Sequence, residues 1–152
     1  MCCINRSIHM SYKINFDEPI PDLIERLKKE HRQIESKLAA LESIGTVNEE
    51  AIHILDALGK PIVHHAVEEE AIVLRVIMHE AKEQSGESIK IAQEHNLIVD
   101  FVNKMIPQLA TMPRQQAKHE VDAFIRSLRT HFSEEEAIMF PLALKAASSE
   151  GR

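Results

Sequence analysis

Two stretches of this chain hold the residues best suited to chemistry: "HHAVEEEAIVL" at 64–74 and "THFSEEEAIMF" at 130–140. Each sets a histidine four residues before a glutamate, His65 with Glu69 and His131 with Glu135. Positions four apart share one face of a helix. A lone pair of this kind is usually a solvated contact. Here both pairs interrupt apolar seams, one of Leu58, Ile62, Ile72 and Val76, the other of Leu128, Ile138 and Leu142. Two more histidines do the same: His31 lies between Leu27 and Ile34, and His95 between Ile91 and Ile98. An unpartnered buried polar group costs about 1–3 kcal/mol, and an ionised carboxylate more. One histidine from each of four helices and two carboxylates, converging at one level, point to a dinuclear metal site.

The donor types narrow the metal. Imidazole with carboxylate suits iron, manganese or zinc. Cys2 and Cys3, the only cysteines, lie far from the seams and, being adjacent, make a poor staple; they read as a reduced pair in a flexible tail. Structural zinc closes its coordination with four ligands. Two carboxylates that each bridge both metals, two histidines per metal and an oxo or hydroxo bridge instead leave about one open position per metal. Iron is therefore expected ahead of manganese or zinc, with dioxygen, nitric oxide or peroxide as the small ligand.

Other polar residues have plainer readings. His64 is about 100° round from His65 and faces a helix flank. His53 and His119 fall off the seams, and His79 faces inward only far from the metal level. Glu68, Glu70, Glu134 and Glu136 form a solvated belt or hydrogen-bond the ligands. Glu35, one turn from His31, is a candidate to hydrogen-bond a ligand or to fill an open position. Met105, Met112 and Met139 are ordinary helix-face or gap-filling residues.

Four amphipathic helices must position this set, expected over Pro21 to Ser43, Asn48 to Gln84, Glu87 to Ala110 and Arg114 to Ala147. Gly59 and Pro61 predict a kink or break in the second, "SGES" at 85–88 a break after it, and Pro107 and Pro141 bends in the third and fourth. Short joins then imply an all-α, antiparallel up-and-down four-helix bundle over 20–147, with tails at 1–19 and 148–152. The halves repeat: "EHRQI" at 30–34 matches "EHNLI" at 94–98, and His65 and Glu69 align with His131 and Glu135. A net charge of −6 with no basic face argues against nucleic acid. No apolar run reaches the roughly 18–20 residues that cross a bilayer, and the N-terminus lacks a signal-peptide core, so a cytoplasmic protein is expected.

"EHRQIE" at 30–35, "HHAVEEEAIVL", "EHN" at 94–96 and "HFSEEEAIMFP" at 131–141 together resemble the hemerythrin-like HHE cation-binding family, over about residues 20–147. The resemblance implies a non-haem di-iron site with His31, His65, Glu69, His95, His131 and Glu135 as ligands, Glu69 and Glu135 bridging. Oxygen-carrying hemerythrins use a fifth histidine one turn after the third-helix ligand, where Val99 stands here. The four-histidine, two-glutamate set is more similar to the di-iron domain of bacterial repair-of-iron-centres proteins, which serve stress response and carry an N-terminal cysteine-containing domain. Ferritin-like oxidases need Glu-x-x-His on two helices; the one such string, Glu50 to His53, is off the seam. Three functions are open: reversible binding of a small ligand for storage or sensing; an enzyme that reduces peroxide or nitric oxide with a redox partner, or donates iron for repair; and a metal-free or zinc bundle serving interactions. Oligomeric state is left open.

Overall fold

The computed structural model describes residues 13–150, and every described element is helical. The first of four rods is α1 (Ile20–Ile44). Pro21 occupies its first turn, where a missing N–H costs nothing. Gly45 ends it at φ 75°, a left-handed cap. The second rod joins α2 (Glu49–Glu68), a π-helical turn (Glu69–Leu74) and α3 (Arg75–Glu80). Asn48 caps α2, its Oδ1 accepting from the Ala51 N–H at 2.9 Å. The third rod is α4 (Ser85–Asp100) with a π-turn (Phe101–Met105) and a 3₁₀ turn (Ile106–Thr111). The fourth joins α5 (Arg114–Glu134), a π-turn (Glu135–Met139) and α6 (Phe140–Glu150). Short joins make this the expected all-α four-helix bundle.

Its core is divided. One apolar cluster includes Ile34, Leu38, Ile62, Ile98 and Leu128; a second includes Leu27, Ile72, Ile91, Met139 and Phe140. The four seam histidines and both glutamates fall between them in sequence on every rod, and all six are buried. They form a polar layer between two apolar ones.

Several local expectations are corrected. Helix α2 runs through Gly59 and Pro61 without a break. Pro61 and Ala57, whose carbonyl loses its usual partner, are both exposed, so solvent can serve that carbonyl. Gly59 is there for close packing: a Cβ would meet Val102 Cγ1 at 2.9 Å. The break expected at "SGES" falls earlier, at Ala81 (φ −137°, ψ 64°), and Ser85 already starts α4. Helix α6 continues past Ala147 through Ser148 and Ser149 to Glu150. The fourth-rod seam shifts too. Ile138, expected inside, is 43% exposed, whereas Met139 is 1% exposed and Phe140 and Ala143 are buried. A π-turn holds an extra residue, so each apolar position after Glu135 arrives one place late. His79 is exposed rather than inward-facing.

The expected tail at 1–19 is partly packed: Ile14 lies against the core and Glu18 pairs with Arg26 at 2.8 Å. Cys2 and Cys3 lie outside the described residues. Among the described residues, no helix is long and apolar enough to cross a membrane.

Candidate metal centre

The structure brings all six seam residues together as two overlapping donor groups: His31, His65, Glu69 and Glu135, and Glu69, His95, His131 and Glu135. Within each group one atom per residue lies within 4.8 Å of the others. In the first, His31 Nε2 is 3.0 Å from His65 Nε2 and 2.9 Å from Glu135 Oε1, and His65 Nε2 is 2.9 Å from Glu69 Oε2. In the second, His95 Nε2 is 2.9 Å from Glu69 Oε1, and His131 Nε2 is 2.9 Å from Glu135 Oε2. Each glutamate thus turns one oxygen to each group.

These contacts test whether a cation fits. Donors held about 2.1 Å from one ion, at right angles, sit about 3 Å from each other. The contacts match that edge. Glu69 Oε2, Glu135 Oε1 and His131 Nε2 are buried and, despite neighbours at 2.9 Å, make no hydrogen bond. Native proteins rarely leave such atoms unsatisfied. Atoms that are close but misaligned for hydrogen bonding suit a shared cation.

The family model for the hemerythrin HHE cation binding domain matches residues 22–143. The chain belongs to that family. Comparison with curated proteins and with solved structures returns no match.

This hemerythrin-family bundle surrounds the six with a ring of outer carboxylates that closes around the four rods. Glu30 of α1 lies 2.8 Å from His65 Nδ1, and Glu70 of the second rod 3.1 Å from His95 Nδ1. Glu94 of α4 lies 2.7 Å from His131 Nδ1, and Glu136 of the fourth rod 2.8 Å from His31 Nδ1. A carboxylate on Nδ1–H fixes the tautomer, leaves the Nε2 lone pair for a cation and raises its basicity. Glu70 and Glu136 come from the expected belt. Glu30 and Glu94 were missed, although the glutamate before the histidine in both "EH" strings was their signal. Glu68 and Glu134 do otherwise, pairing with Arg26 at 2.6 Å and Lys90 at 3.0 Å.

Glu35 is not in either donor group; its carboxylate lies 2.7 Å from Arg129 Nε. His53 and His119 are exposed, and His64 Nε2 lies 3.4 Å from the Lys13 carbonyl on the flank. Val99 packs with Val63, Ala66 and Val67, so the fifth-histidine position is apolar here. Both shared glutamates start π-turns, a distortion frequent at functional sites.

The histidines and glutamates of this layer set one another's charge. Burial would depress the His65 pKa, but Glu69, Glu135 and Glu30 beside it raise it well above the usual histidine value. His95 is raised likewise against burial, through Glu135, Glu69 and Glu70. His131 is raised against burial by Glu135. Burial would raise Glu135, but the charge of His131 beside it holds it well below the usual carboxylate range. A cation binding here displaces these protons.

Proposed function

We propose that this bundle holds two iron ions, one in each donor group, oxo- or hydroxo-bridged, and binds a small ligand such as dioxygen, nitric oxide or peroxide for storage, sensing or stress response. The observation that carries the reading is the pair of shared carboxylates, Glu69 and Glu135, each with one oxygen toward each histidine pair. Iron held there would supply a redox couple and a place for the small ligand. The chain supplies the rest. Glu69 and Glu135 set the spacing of the two groups. Glu30, Glu70, Glu94 and Glu136 hold each imidazole on its Nδ1 side. Phe132 stacks on His31 with centroids 4.0 Å apart, and Phe140 lies at 5.6 Å. These rings and the apolar clusters on both sides limit water at the layer.

The test is the optical spectrum of anaerobically iron-loaded protein exposed to oxygen or nitric oxide. New near-ultraviolet and visible bands that vanish on degassing support a binding module. Bands that decay irreversibly, with sustained consumption of peroxide or nitric oxide when a reductant is supplied, replace that reading with the enzyme. Failure to load iron under any condition overturns both.

A further inference from the structure

The internal repeat equates Arg26 with Lys90, and Glu68 with Glu134. The two halves use these positions differently. Arg26 Nη1 donates to Glu30 Oε2 at 2.9 Å and to Glu68 Oε1 at 3.0 Å, while Nη2 donates to Glu68 Oε2 at 2.6 Å and to Glu18 Oε1 at 2.8 Å. The other oxygen of Glu30 is the one on His65 Nδ1. A single carboxylate is therefore shared between a guanidinium and a seam histidine. Lys90 instead forms an ion pair with Glu134. Among the described residues, no arginine or lysine bonds to Glu70, Glu94 or Glu136.

We infer that Arg26 makes the two halves of the centre unequal, weakening His65 as a donor so that the first cation taken up settles on His95 and His131. The inference rests on the two-ion reading. A carboxylate accepting from Nδ1–H pushes electron density toward Nε2; a guanidinium bonded to the same carboxylate draws that density away. Summed charge does not separate the halves, because Lys90 lies near Glu87, Glu94 and Glu134 much as Arg26 lies near Glu18, Glu30 and Glu68. The direct bond to Glu30 does. Burial acts in the same direction: the Glu70 side chain behind His95 is 10% exposed, the Glu136 side chain behind His31 42%. The better-buried carboxylate acts through a lower dielectric. Arg26 is thus a positioning residue that sets the order of loading.

The test is anomalous diffraction from protein given one equivalent of ferrous iron without oxygen, with total uptake measured at excess iron. In the wild type, occupancy should favour the His95/His131 side by about tenfold, the low end of what outer partners contribute to metal affinity. The double variant Arg26→Gln with Glu68→Gln keeps the buried position neutral, so it should fold, take up both ions at excess, and show a clearly smaller preference, keeping only the part that the burial of Glu70 supplies. Lys90→Gln should leave the wild-type preference in place. Even occupancy in the wild type, or an unchanged preference in the double variant, overturns the inference while the two-ion reading stands. If the wild type takes up no second ion at excess, the two-ion reading itself falls, and this inference with it.

Discussion

His131 and His119 share a side chain and a helix but not an environment: one is in the buried polar layer, the other on the surface. His131→Ala should lower bound iron and the melting temperature of loaded protein together, since ligand binding free energy is folding free energy; His119→Ala should change neither. Metal analysis and thermal melts of the two variants check this. The outer ring gives a finer test. Glu94→Gln should weaken iron binding by about 10–100-fold in chelator competition, whereas Glu35→Gln, which loses only a surface pair with Arg129, should leave affinity unchanged. The six inner residues were legible because helical periodicity places them on seams and the repeat writes them twice. Half of the outer ring was not. All four outer carboxylates reach a histidine on another rod, which a seam pattern does not describe; Glu70 and Glu136 were read only because they flank the seam glutamates, as Glu30 and Glu94 do not.

On the scale of elements, the π-turn at Glu135 sets the register of the helix beyond it, whereas Ile72 and Val76 stay buried after the turn at Glu69. Regular helical spacing puts Ile138 in the core; the extra residue of the turn puts Met139 there instead. Met139→Ala should therefore cost about 2–5 kcal/mol, and Ile138→Ala no more than about 0.5 kcal/mol, in denaturant unfolding of the metal-free protein. Equal costs would mean that the regular register is the true one. No residue type announces a π-turn, so this shift could not be read from periodicity. The unbroken path through Pro61 was hidden for a different reason. It depends on an exposed carbonyl one turn back, a matter of how the helix sits in the bundle.

The bundle as a whole is two apolar layers around a charged one, and its stability should follow that charge. The raised values of His65, His95 and His131 mean that their contribution to the metal-free fold is complete below about pH 6.5, the usual histidine value. It is lost as pH rises through the raised values. Glu135, held low, contributes above about pH 4.5 and is lost as pH falls. The part of the metal-free melting temperature due to this layer should thus be greatest between these limits. Because a cation replaces the protons, the gap between loaded and metal-free melting temperatures should widen from about pH 6 to pH 8. A gap that narrows over that range would contradict the proton displacement. The four-rod architecture was legible from apolar spacing and short joins. The packing of Ile14 and the Glu18–Arg26 pair was not, because the segment before α1 has no periodicity to read.

The most direct test of the central claim is the iron content of the full chain, reconstituted anaerobically with ferrous salt and freed of loosely bound metal. One ion for each donor group, two per chain, is the predicted result. Glu69→Ala should lower both, since each group depends on that carboxylate. A wild-type content of one ion or none, or a Glu69→Ala variant that still holds two, would contradict the shared-carboxylate centre.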